Sequence, residues 1–147
     1  MAHLFQCDIV TAEQQFYSGK VKSIVVPGAL GELGIYAGHS PLITKLRPGV
    51  VRLCCETLDD PVQSEAIYYV SGGFVEVVPG SVTVLAEQAL RGTEIDEAAA
   101  LEAKRHAEEL MTHPTRDMDY ARAVGQLAQA IAQLRTLQEI RKVLGRG

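Results

Sequence analysis

The chain has 147 residues, a length that favours one domain with at most an appendage, and an ordinary apolar share of 47%. Aromatic residues make up 5% and Trp is absent, so a core of Val, Ile, Leu and Ala is expected. A net charge of −4 argues against a nucleic-acid surface, and no apolar run approaches the roughly 18 residues that a bilayer helix needs.

The N-terminus, MAHLFQCD, has no basic n-region and acquires an acid early, which excludes a secretory signal and predicts a cytoplasmic protein. His3 to Val10 places Phe5, Cys7 and Ile9 on one side of a first strand. Gln14 to Tyr17 reads as a short second strand ended by Ser18-Gly19. Lys20 to Val26 reads as a third, with Val21 and Val25 on one face and Ile24 and Val26 on the other. From Val26 to Pro48 the chain is dense in Gly and Pro, which predicts consecutive tight turns. Leu33, Ile35, Tyr36, Leu42, Ile43 and Leu46 make this a rigid loop region rather than a linker, one that presents Glu32 and His39 as contact residues.

Leu42 to Leu46 and Gly49 to Cys55 are strands meeting at Arg47-Pro48-Gly49. Thr57 to Ser64 is a polar loop between hairpin strands. Ala66 to Val70 and Phe74 to Val78 are joined by Ser71-Gly72-Gly73, and Ser81 to Ala86 follows the turn Pro79-Gly80. Short strands with turn signals every 8–12 residues or so give an all-β sandwich or barrel.

After Arg91-Gly92 the composition changes: one Pro and three Gly remain, and Ala becomes frequent. Ile95, Ala99, Ala103, Ala107 and Leu110 mark one face of a helix, which Thr93 or Asp96 can cap. Met111 to Thr115, with Pro114, breaks it. A second helix, capped by Asp117 or Asp119, carries a seam of Tyr120, Val124, Leu127, Ile131 and Leu134 that slips to Leu137, Ile140 and Leu144. The fold class is therefore α+β: an N-terminal β-sandwich over residues 1–90 and a C-terminal antiparallel two-helix hairpin over 91–147. Because the first helix's inner face is mostly Ala, which buries little area, the hairpin is expected to be weakly held and able to open.

Little here reads as catalytic machinery. Cys7, Cys54 and Cys55 lack metal spacing and are expected to be buried or half-buried thiols. His39-Ser40 lacks a G-x-S-x-G elbow. Gly28, Gly31 and Gly34 lack the Lys-Ser/Thr of a P-loop. The four histidines, His3, His39, His106 and His113, show no ligand spacing, so no metal is expected. Arg135, Arg141, Lys142 and Arg146 make the last stretch basic. That suits either a helix C-terminus or docking on an acidic partner surface.

GELGIYAGHSPL resembles the N-terminal domain of the epsilon subunit of bacterial rotary (F-type) ATP synthases, and DIVTAEQQFYSG, YYVSGGFVEVVPGSVTVLAEQALRG, IDEAAALEAKRHAEE and DYARAVGQLAQAIAQLR extend the resemblance along nearly the whole chain. The resemblance implies a sandwich of about ten strands and a two-helix hairpin, with no active site and no cofactor. It implies a central-stalk rotor subunit, peripheral on the cytoplasmic face of the bacterial inner membrane. The partners implied are the gamma subunit, the c-ring and the alpha/beta catalytic head. Glu32 and His39 match the loop region that meets the c-ring. Arg135, Arg141 and Lys142 match basic positions of a second helix that, when extended, meets acidic beta-subunit segments and blocks ATP hydrolysis.

Some members of that family bind ATP in the folded hairpin through a motif resembling I/L-D-x-x-R-A. Here Ile95 and Asp96 are followed by Ala99 in place of the Arg, and the second helix has only Arg122 before a run of Gln and Ala, so weak or absent ATP binding is expected. A nucleotide-sensing subunit is thereby disfavoured. Outside the family, composition alone also allows a free-standing ligand-binding sandwich with a dimerisation hairpin, or, less readily, an enzyme using Cys54 or His39.

Overall fold

A computed structural model describes residues 3–55, 65–112 and 117–145, with the backbone alone for 117–119. It contains, among these, nine strands: β1 Phe5–Val10, β2 Gln15–Gly28, β3 Gly31–Tyr36, β4 Leu42–Leu46, β5 Gly49–Cys55, β6 Glu65–Val70, β7 Gly73–Val78, β8 Ser81–Ala86 and β9 Ala89–Arg91. One 3-10 turn over Gly92–Glu94 leads into two helices, α1 Glu97–Thr112 and α2 Asp117–Gly145.

The strands form a sandwich because β2 belongs to both layers. Its first half pairs with β1, which runs parallel to β8 and so joins the layer β8, β7, β4. Its second half pairs with β3 and β5, and β5 continues to β6 and β9. The core lies between, where Phe5, Cys7, Ile9, Val21, Ile24, Val26, Ile35, Leu53, Val75 and Val84 are almost fully enclosed.

Three sequence expectations change. Ser18-Gly19 ends nothing: these residues pair with Asp8 and Cys7, so the two short strands are one long β2. The register of β2 against β5 shifts between Val21 and Ser23. Such a bulge reverses the alternation of side chains, so Val21 joins Ile24 and Val26 in the core and Val25 alone faces outward. The turn-rich stretch holds a true strand, β3, whose Gly31 and Gly34 are carried by pairing with Gly28 and Val25. β9 is a further short strand that the sequence reading did not separate.

One glycine is demanded by close approach. Gly73 has φ +132°, and a Cβ there would lie 2.0 Å from the Leu85 carbonyl oxygen, which is backbone and cannot step aside.

Asp96 caps α1, its Oδ1 accepting the Ala99 amide at 3.0 Å. The hairpin's buried positions differ from the predicted seam. On α1 they are Ala100 and Ala107, and on α2 they are Ala123, Ala130, Ala132, Thr136 and Val143. Tyr120, Val124, Ile131 and Leu144, predicted to face the partner helix, are exposed, as are Ala99 and Ala103. Met111 and Thr112, expected to begin the break, are the last residues of α1. The predicted polar loop at Thr57 to Ser64, the rest of the break through Thr115 and the cap at Asp117 or Asp119 lie outside the described residues or side chains.

Candidate functional site

The two outer faces of the sandwich are unequal. The β2–β5–β6–β9 layer is covered by α2. Val50, Tyr69 and Leu90 stand in one row across β5, β6 and β9, with Arg52 and Ile67 in the next. Tyr69 is only 1% exposed although it stands outside the sandwich core cluster. Its hydroxyl is buried beside the Gln133 side chain of α2; burial raises its pKa, and hydrogen bonding to that amide opposes the shift. The neighbouring Thr136 hydroxyl contributes nothing across the interface, since it donates to Ala132 of its own helix at 2.7 Å.

Charges fasten α2 to the sandwich. Arg135 Nη2 lies 3.5 Å from Glu32 Oε1, and Arg52 Nη1 lies 3.4 Å from Glu139 Oε2. Arg52 Nη2 also lies 3.8 Å from Glu32 Oε2, and Lys142 Nζ lies 3.5 Å from Glu139 Oε1. Arg141 turns the other way and pairs with Glu97 at the start of α1 at 2.7 Å. That pair holds the Glu97 carboxyl below its usual range and raises Arg141. The three predicted cations thus have three different anchors: the sandwich for Arg135, α1 for Arg141, and α2 itself for Lys142.

Glu32 and His39 are not brought together. Glu32 is the second residue of β3, beside the β2–β3 turn where Leu30 stands wholly in solvent. His39 lies beyond the other end of β3, in a groove with Tyr36, Pro79 and Gly80. Its Nδ1 donates to the Ser40 carbonyl at 2.7 Å, an arrangement of a turn rather than of a nucleophile and its base. Among the cysteines, Cys7 is buried and its thiol is pushed up to about 12, chiefly by desolvation with Asp8 adding, so it is protonated at neutral pH. Cys55 Sγ meets the Tyr17 hydroxyl at 3.4 Å. Among the described residues no group of three His, Cys, Asp or Glu is placed to hold a metal ion, and no helix is long and apolar enough to cross a membrane.

The degenerate nucleotide motif borders a cleft between the helices and the 3-10 turn. Asp96, Ala99, His106, Gln126, Gln129 and Gln133 line it together with Glu94. Two carboxylates and no Lys or Arg lie among the lining residues. A triphosphate there would meet carboxylates instead of charge-assisted hydrogen-bond donors among these residues.

Among the described residues, no helix covers the opposite outer face, on β4–β7–β8. Ile43 is 69% exposed, Phe74 51% and Leu85 49%. Phe74 pairs across the sheet with Leu85 on one side and Lys45 on the other, with Ile43 and Glu76 in the next row. This is a contiguous apolar patch with a charged border, the makeup of an interaction surface.

Sequence reading missed Arg52, Glu97, Glu139 and Tyr69. The one available signal was Arg52 itself, a lone cation in the apolar strand GVVRLCC, placed by period two on the face of Val50 and Cys54.

Comparison with known proteins gives consistent matches. The ATP synthase delta/epsilon chain β-sandwich domain matches residues 4–92, and the long α-helix domain of the same chain matches residues 93–138. A chain of the Euglena gracilis mitochondrial ATP synthase, in a structure of OSCP, F1 and c-ring, aligns with a TM-score of 0.78 at 21% identity, over 93% of this chain and 82% of that one. A chain of the Tetrahymena thermophila mitochondrial ATP synthase central stalk and c-ring aligns with a TM-score of 0.59 at 13% identity, over 90% and 95%.

Proposed function

The chain belongs to the ATP synthase delta/epsilon family, and from that premise we propose that it is a non-catalytic rotor subunit of a bacterial enzyme's central stalk, joining gamma to the c-ring and restraining ATP hydrolysis through its hairpin. It would sit peripherally on the cytoplasmic face of the inner membrane, attached only through the complex. The observation that carries this reading is the inequality of the sandwich's two outer faces: α2 covers one, and the other leaves Ile43, Phe74 and Leu85 exposed.

The bare face suits gamma, because a permanent partner gains from burying contiguous apolar surface. The end of the sandwich that carries Leu30 and Glu32 is assigned to the c-ring, and the same role is retained for His39 at the other end of β3. Arg135, Arg141 and Lys142 are assigned to acidic segments of the beta subunits once the hairpin is extended. In that position the helix stops rotation mechanically, and charge pairing holds it in register. The cleft beside Ala99 is assigned no nucleotide.

The test is ATP hydrolysis by the catalytic head depleted of this subunit. Wild-type chain added back should slow hydrolysis, and the triple variant R135Q/R141Q/K142Q should slow it far less while still co-purifying with gamma. Phe74→Asp should abolish that co-purification. Failure of the wild-type chain to bind gamma would remove the rotor reading and favour a free-standing sandwich. Calorimetry with ATP should give no heat of binding, and a micromolar dissociation constant would overturn the assignment of the cleft.

A further inference from the structure

We propose that Glu32 and Arg52 form the sandwich half of an ionic latch that holds the hairpin down and occupies its cations. The latch itself belongs to the isolated chain; its competition with an acidic partner rests on the function proposed above. Both oxygens of Glu32 are used, Oε1 by Arg135 of α2 and Oε2 by Arg52. Both oxygens of Glu139 are used as well, Oε2 by Arg52 and Oε1 by Lys142. The result is a chain of five alternating charges, Arg135–Glu32–Arg52–Glu139–Lys142, that crosses between sandwich and helix twice.

What lies beneath this chain is too slight to fix α2 alone. The buried α2 side chains on this side of the helix are Ala132, Thr136 and Val143, small or medium in size. The crossing pairs therefore decide the balance between docked and open states. Their side chains are 38–57% exposed, except Glu139 at 19%, so water and salt weaken each pair. A latch of several weak pairs releases under modest competition. An acidic surface that offers carboxylates to Arg135 and Lys142 replaces Glu32 and Glu139 one pair at a time. The docked hairpin thus carries its own carboxylates as competitors of the acidic partner it would meet when open.

The test is solution NMR on the full chain at low ionic strength. A nuclear Overhauser contact between the Gly92 Hα protons and the Ile140 δ1 methyl reports docking, since a Cβ on Gly92 would lie 2.2 Å from Ile140 Cδ1. Sheet amide shifts serve as the control for folding. Arg52→Gln and Glu32→Gln should each raise the ratio of open to docked chain about 2- to 10-fold, and Arg135→Gln about 2- to 5-fold. The double variant E32Q/R135Q should open the hairpin no more than the stronger single variant, because both remove one pair. Raising salt from about 0.05 M to about 0.5 M should open wild type, open Arg52→Gln less because only the Arg135–Glu32 crossing remains, and leave the double variant E32Q/R52Q, which has neither crossing, nearly unchanged. Single variants that leave the ratio unchanged, or a double variant equal to the product of the singles, would overturn the latch.

Discussion

The sandwich and the hairpin are built from different interactions. Inside the sandwich, Ile24, Ile35, Leu53, Val75 and Val84 are enclosed, and each contributes about 1.5–3 kcal/mol from burial. Where the helices meet one another and the sandwich, the buried helix residues are Ala100, Ala107, Ala123, Ala130, Ala132, Thr136 and Val143, five of the seven alanine, with charge pairs around them. Alanine buries one methyl group, and exposed ion pairs contribute about 0–1 kcal/mol each. One half of the molecule is therefore suited to transmit force without changing shape. The other is suited to change position while keeping its own structure. For a subunit that would couple a rotor and also restrain it, this division places rigidity and release in separate parts.

Breaking the rigid half should have the largest effect. Gly73→Ala should lower sandwich stability by about 3 kcal/mol or more, because it combines a strained φ with backbone overlap. Chemical denaturation should show a reduced midpoint with the helical content lost in the same or a later transition. Ile24→Ala should cost about 2–5 kcal/mol in the same measurement, by leaving a cavity where β2 crosses the core. In the hairpin, Ala107→Gly should cost only about 1 kcal/mol, the propensity difference, and should raise amide exchange in α1 without moving the sandwich midpoint. A loss above about 3 kcal/mol would mean that the helices are packed as tightly as the core.

The smallest effect sharpens the contrast. Glu97 has a lowered folded-state pKa because of Arg141, against an ordinary 4.5. A lowered value means that the pair's stabilisation is complete above 4.5 and is lost as pH falls through the folded value. Acidification from about pH 6 to about pH 3 should therefore loosen the contact between α1 and α2. Arg141→Gln should remove that component of the pH dependence.

Much of this was legible in the sequence. Alternation in β1, the hairpin turn at Pro79-Gly80, and the shift to Ala-rich helices after Gly92 are local signals, and each appears where expected. Ser71-Gly72-Gly73 is not a hairpin turn: β6 and β7 do not pair, and Gly73 is the first residue of β7. β3 was hidden because Gly31 and Gly34 weaken any local preference for a strand, while pairing with β2 supplies it. The α2 seam was misread because one helix buries two faces, Ala130 toward the cleft with α1 and Ala132, Thr136 and Val143 toward the sandwich. A helix with neighbours on two sides loses the single apolar stripe that periodicity detects.

By itself the sequence determined most of the strands and both helices, the division into sandwich and hairpin, and the poverty of the hairpin's apolar contacts. These follow from side-chain size, backbone preference and spacing along a few neighbouring residues. Only the tertiary structure decided which outer face is bare, that Glu32 and His39 lie at opposite ends of β3, and that Arg52 joins Glu32 to Glu139. These depend on a bulge in β2 and on a helix docking 87 residues away from Arg52, where no local pattern records which charge will meet which.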